Sequence, residues 1–326
     1  FHILLLYFPF SLLSDPQLAR ALYTLILELA LFALALLSLR LTDWEAPRYF
    51  WFLFLFFCIF NFYAFQAILE SSPVLLLGLI YAGILLALRN NQDELAGALM
   101  AVSLYYWEVG APFLFLVAWR AYREGRGRVF AGLGMITFVL LAVSFLVYPN
   151  WLISFLRAGM NNLRADFGFS THEVFEHFFP SQSGMIAWVF IGILVITLGY
   201  EWNAALTADF RRFYWAACLS LAASPLLGFR TELEHLAALV IPLAFIFAIV
   251  HDRWHRFGSG LTILLLLAVF LVPWAVYFFA LPRLGQIADD VLFLFLPLFT
   301  LIGLYWIRWW AIRPPRVLAD LANRKS

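Results

Sequence analysis

The chain has 326 residues, 64% of them hydrophobic and only 13% charged, with a formal net charge of +1. That little polar surface cannot coat a water-soluble globule of this length, so the sequence reads as an all-α, polytopic integral membrane protein. The near-zero charge and the lack of a basic stripe exclude a nucleic-acid partner.

Apolar runs able to cross a hydrocarbon core of roughly 30 Å predict about ten spans within a single transmembrane domain, 1–326. They fall at 1–13, 21–39, 49–69, 73–88, 129–147, 185–200, 213–229, 236–250, 261–280 and 291–307. The chain begins at Phe1 inside an apolar run, with no Met and no basic leader, so further N-terminal residues are expected. Glu28 falls in mid-span, a candidate proton or ion ligand whose plainer expectation is a lone carboxyl, hydrogen-bonded or protonated, turned toward a neighbouring helix. Cys58 and Cys218 lie in apolar runs and predict neither a disulfide nor a metal site.

Two shorter runs, 95–107 and 113–119, flank Glu108, Gly110 and Pro112. Each is too short to span, which predicts a hairpin that enters from one side and returns, its bend buried in protein or lining a wet cavity. Alternating the spans about this hairpin gathers Arg40, Arg48, Arg89, Arg120, Arg123, Arg126, Arg128, Arg211, Arg212, Arg253, Arg256, Arg308, Arg313, Arg316, Arg324 and Lys325 on one face. Arg20, Arg157, Arg164, Arg230 and Arg283 are left on the other, so sixteen of the 21 basic residues share a side. The positive-inside rule makes that side cytoplasmic, with the tail 311–326, in a plasma (inner) membrane. The bend at Glu108, the segment 149–184 and the loops at Glu70, Arg230 and Asp289 are then extracytoplasmic.

Within 149–184, Trp151, Leu152, Phe155, Leu156, Met160 and Leu163 recur at helical spacing and predict an interfacial amphipathic helix. A second helix should start at Ser170, with Glu173 completing a capping box and Pro180 beyond its end. His172, Glu173, Glu176 and His177 lack the four-residue histidine spacing of a zinc helix, so no metal is expected. Phosphate-binding loops, dinucleotide fingerprints and Gly-x-Ser-x-Gly elbows do not occur. The candidate site is therefore the set of outer-face ionisable residues that a single bundle would bring together: Glu70, Glu108, Arg230, Glu234 and His235. Each also has an ordinary alternative as a solvated loop charge.

The order of short motifs resembles that of GT-C glycosyltransferases, in the mannosyltransferase-like branch that uses polyprenyl-phosphate sugars. Tyr7-Phe8-Pro9-Phe10 is similar to that family's aromatic-Pro segment. Glu70-Ser71-Ser72-Pro73-Val74-Leu75-Leu76-Leu77 stands where its Gly-Gln-x-Asn-Pro-Leu-Leu segment belongs. Ala96-Gly97-Ala98-Leu99, Trp107-Glu108 and Pro112 resemble its hairpin, followed by the basic turn 120–128; Tyr148-Pro149-Asn150-Trp151 and Ser224-Pro225 complete the likeness. Two positions depart from the pattern: the usual Gln is Glu70 and the usual Lys is Glu108. The resemblance implies sugar transfer with inversion from a polyprenyl-phosphate donor, with no firm cofactor and with membrane lipids and the lipid-linked donor as partners. It also implies a catalytic carboxylate on an outer loop upstream of Phe1, so no catalytic residue is named. Arg230 would face the lipid phosphate, and Glu234 and His235 the sugar or acceptor. Two other classes remain open: a non-catalytic subunit built on the same scaffold beside other membrane subunits, and, behind it, a secondary transporter.

Overall fold

The computed structural model describes residues 2–44, 47–162, 169–254 and 257–313. Among them the chain is helical with one isolated antiparallel bridge, Phe169 to Thr231. Hydrocarbon imposes this, because the backbone must satisfy its own N–H and C=O groups. In chain order the helices are α1 (His2–Ser11), α2 (Pro16–Thr42), α3 (Arg48–Phe60), α4 (Phe62–Leu69), α5 (Val74–Arg89), α6 (Asp93–Ser103), α7 (Trp107–Arg123) and α8 (Gly127–Val147). There follow α9 (Trp151–Asn162), α10 (Thr171–Phe178), α11 (Ser183–Ala205), α12 (Phe210–Ala223), α13 (Val240–Arg253), α14 (Gly258–Ala275), α15 (Leu281–Leu284) and α16 (Gln286–Ala311). A 3₁₀ segment, Leu233–Leu239, leads into α13.

Seven helical stretches are long and apolar enough to cross a membrane: Pro16–Thr42, Asp93–Arg123, Gly127–Val147, Ser183–Ala205, Leu233–Arg253, Gly258–Leu284 and Gln286–Ala311. The pair α3 and α4, bent by 45°, makes an eighth when taken as one span. This is fewer than the ten expected, and length is the reason. At 1.5 Å per residue, α1 with 10 residues is about 15 Å long, α5 with 16 about 24 Å and α12 with 14 about 21 Å, all short of a ~30 Å core. The bend between α3 and α4 is built at Asn61, where ψ is 135° and the side chain caps α4 by accepting from the Tyr63 N–H at 3.0 Å. The Phe60 carbonyl takes the Trp274 indole N–H at 3.0 Å, the kind of partner a broken helix needs inside a bilayer.

The stretch Asp93–Arg123 is a hairpin, as its two short apolar runs imply. A straight helix of 31 residues would hold its ends about 46 Å apart. Arg126, just past α7, instead meets Asp93 at 3.3 Å and the Asn91 carboxamide oxygen at 2.8 Å. The helix is interrupted by a 3₁₀ turn at Leu104–Tyr106 and by non-helical backbone at Gly110. Gly110 faces the Tyr81 ring so closely that a Cβ would collide with it. Tyr81 is halfway along α5, so the bend that carries Glu108 is sunk to the middle of that helix instead of reaching the outer surface. The α6 arm lies on α8 with glycines at the contact: a Cβ at Gly97 would strike the Val129 carbonyl, and one at Gly132 the Glu94 carbonyl.

The bundle is built around α13, buried on every side from Val240 to Val250. One end gathers basic residues in ion pairs and helix-end contacts: Arg89 to Asp43 at 2.8 Å, Arg126 to Glu124 at 3.0 Å, and Arg211 to the Ala311 carbonyl at 3.0 Å. Near that end, α11 is tied to α16 by a two-pronged pair, Arg308 to Glu201, both contacts at 3.0 Å, with the guanidinium over the Trp215 ring. The expected amphipathic helix is α9, although Leu163 and Arg164 lie outside the described residues, as do Arg256 and most of the tail 311–326. Ser170 caps α10, accepting from the Glu173 N–H at 3.3 Å, but the Glu173 carboxyl does not close the capping box because it pairs with Arg230.

Candidate functional site

The polar residues of the end opposite the arginines come from four elements. Glu70 ends α4, in a turn where Ser71 adopts φ 55° before Pro73 starts α5. Glu108 occupies the hairpin bend, half-buried, with its backbone carbonyl accepting from the Ser224 hydroxyl at 3.1 Å. Glu232, Glu234 and His235 stand at the start of the 3₁₀ segment. The fourth element is the aromatic wall of α1, α2 and the hairpin: Tyr7 and Tyr23 meet at 3.4 Å between their hydroxyls, and the Tyr106 ring crosses the His235 imidazole at 5.4 Å.

These groups converge. Carboxylate oxygens of Glu232 and Glu234 lie within 4.8 Å of each other, and Glu234 feels Glu70 electrostatically. The Tyr106 phenol is within electrostatic reach of Tyr7, Glu232, Glu234 and Glu108. Tyr81, wholly buried and with no hydrogen-bond partner for its hydroxyl, is in similar reach of Tyr105 and Glu108. Four of the five expected site residues, Glu70, Glu108, Glu234 and His235, therefore belong to one cluster. The fifth, Arg230, turns toward α10 and pairs with Glu173 at 3.2 Å.

Ligand atoms of Glu232, Glu234 and His235 lie within 4.8 Å of one another, close enough to gather round a single cation. The imidazole argues against a metal there. The Glu232 backbone N–H donates to His235 Nδ1 at 3.2 Å, so in the neutral ring the proton sits on Nε2. That nitrogen faces Glu232 Oε2 at 4.0 Å and is presented as a hydrogen-bond donor. His172, Glu173 and His177 are dispersed in turn: His172 packs edge-on against Trp188, and His177 meets the buried Asp290 at 2.6 Å.

The tyrosines and Ser224 are what sequence reasoning missed. Tyr105 and Tyr106 directly precede the bend residue Glu108, so a phenol pair beside a re-entrant turn was the available signal. Tyr7 stood in the aromatic-Pro segment but without a site role, and Tyr23 and Tyr81 carried no signal, since tyrosines in apolar runs are ordinary span residues. No family model matches the chain, and no characterised protein or solved structure matches it either.

Proposed function

We propose that the chain is a polytopic glycosyltransferase of the GT-C type, moving a sugar from a polyprenyl-phosphate donor to an acceptor at the end of the bundle that carries the acidic and tyrosine cluster. The observation that carries this reading is the cluster itself. Carboxylates accept from sugar hydroxyls, phenol rings offer faces for the sugar's apolar side, and His235 adds a fixed donor; all converge at one end of an otherwise apolar bundle. Arg230 serves the donor's phosphate. Its pair with Glu173, part-exposed on both sides, is worth about 0–1 kcal/mol, so a phosphate that accepts two guanidinium hydrogen bonds can displace it. An apolar cleft of about 480 Å³ between α11, α12 and α16, lined by Leu194, Leu219, Ala223, Leu301 and Ile302, suits the lipid chain. The excess of arginine at the opposite end supports, by the positive-inside rule, an orientation with that end and the C-terminus toward the cytoplasm and the cluster outside the plasma membrane.

The full chain in proteoliposomes, given a radiolabelled polyprenyl-phosphate sugar and membrane acceptors, tests this. Arg230→Ala and His235→Ala are each expected to cut transfer at least about tenfold. Unchanged transfer in both refutes the assignment of the site. A second reading, a non-catalytic subunit of a larger membrane assembly, is favoured by Glu70 and Glu108, which put negative charge where a donor phosphate approaches. It predicts no transfer by the unaltered chain with any donor.

A further inference from the structure

The cluster at the acidic end carries one sign of charge. Glu70, Glu108, Glu232 and Glu234 have no Lys or Arg partner among the described residues, and the electrostatic neighbours of Glu234 are two more acids, Glu232 and Glu70. His235 supplies no counter-charge, because its Nδ1 accepts the Glu232 N–H at 3.2 Å and a protonated ring could not accept there. Tyrosines stand around these acids. The rings of Tyr7 and Tyr23 are 5.1 Å apart, those of Tyr105 and Tyr106 5.2 Å, and Tyr106 is in electrostatic reach of Tyr7, Glu108, Glu232 and Glu234. An independent observation marks the same place for a ligand. Tyr81 is wholly buried, and its hydroxyl, turned to Gly110 two residues from Glu108, makes no hydrogen bond. Buried hydroxyls are as a rule paired.

Carboxylates accept hydrogen bonds and donate none, and the faces of phenol rings are negative. Both favour a cation, since a neutral ligand leaves the charge of Glu108 and Glu234 uncompensated. An ammonium group brings the opposite charge and three N–H donors, and it is attracted to an aromatic face within about 6 Å. We infer that this cluster binds a sugar bearing a free, protonated primary amine, held by Glu108, Glu234 and the face of Tyr106. Its hydroxyl oxygens accept from His235 Nε2. The inference rests on the transferase reading in one respect, that the amino sugar is the acceptor; the donor's phosphate then stays on the Arg230 side.

The test uses the full chain in lipid nanodiscs, in neutral buffer, and saturation-transfer NMR with glucosamine, N-acetylglucosamine and glucose as probes. Glucosamine is expected to bind at least about fivefold more tightly than either neutral sugar. Glu108→Gln and Glu234→Gln keep the shape and lose the charge, and each should remove most of that preference; Tyr106→Phe should keep it and Tyr106→Leu lower it. Melting temperatures check that the variants are folded, and the comparison of probes on the unaltered chain depends on no variant. Equal binding of the three sugars, a preference untouched by both Gln variants, or one abolished by EDTA overturns the inference. Alkyl glycosides of the same sugars, offered with the radiolabelled polyprenyl-phosphate donor, separate the two readings. Faster transfer to the glucoside than to the glucosaminide overturns the inference and leaves the transferase standing. An intact amine preference without transfer to any acceptor upholds the amine site and counts against the transferase alone.

Discussion

A pair of spin labels decides whether the stretch from Asp93 to Arg123 returns to the side it entered. Gln92 and Arg128 flank it and line one surface groove together with Asn91, Asp93 and Glu94. Labels at Gln92→Cys and Arg128→Cys leave the Arg126 contacts with Asp93 and Asn91 in place. The native Cys58 and Cys218 are wholly buried and take no label. An Arg side chain that meets an Asp at 3.3 Å places their Cα atoms within about 12 Å, and the label sites, one residue from Asp93 and two from Arg126, stay under about 20 Å. A straight crossing puts the same sites about 46 Å apart or more. The hairpin therefore predicts strong dipolar broadening of the continuous-wave spectrum in lipid nanodiscs. A sharp spectrum with a pulsed-EPR distance near 45 Å refutes it, and with it the convergence of Glu108 on Glu234 and His235, because a straight helix carries Glu108 past the cluster.

Gly110→Leu forces a side chain into Tyr81 and should cost roughly 1–3 kcal/mol by overpacking; Tyr81→Ala combined with Gly110→Leu should recover most of it, measured as thermal stability in detergent. Glu201→Ala strands Arg308 near the basic end. Because the Arg308 side chain keeps 28% of its exposure, the loss should be roughly 2 kcal/mol, below that of a fully buried pair, and Glu201→Ala with Arg308→Met should regain part of it. Both native cysteines should resist maleimide in the folded protein and react at once in denaturing detergent; rapid labelling of the native state would refute the packing of α3 and α12.

The helical membrane class, the hairpin and the start of α10 were legible in sequence, because each rests on local chemistry. Composition dictates lipid burial, two runs too short to cross flank Glu108, and Ser170 caps the helix that follows it. The depth of the hairpin was not legible. It is set by Gly110 against Tyr81, 29 positions apart, and nothing local to either residue announces the contact. The same holds for Arg230. Its loop position was clear, but the choice of Glu173 over the acidic cluster depends on how α10 docks, through the Phe169–Thr231 bridge and the Thr171 hydroxyl on the Leu226 carbonyl at 2.9 Å. For Glu28 the expectation failed in direction: the core of α2 is made by Leu27, Leu31 and Leu34, and the helical period then turns Glu28 outward.

The two ends of the bundle use charge in different ways. At the basic end Arg89, Arg120 and Arg126 each meet a carboxylate within 3.3 Å and each also holds a backbone carbonyl: those of Arg40, Ala208 and Leu88. Charges consumed in this way lock loops together and leave little with which to bind a ligand. At the other end, Glu70, Glu108, Glu232 and Glu234 have no Lys or Arg partner among the described residues, and the Tyr81 hydroxyl has no hydrogen bond. Of these, Glu70 is exposed and Glu232 nearly half exposed, whereas Glu108 is half-buried and Glu234 buried, and carboxyls so placed without counter-charge cost stability. A ligand that donates to Glu108 and Glu234 would offset that cost, which is the physical ground on which the proposed site rests at the acidic end and not at the basic one.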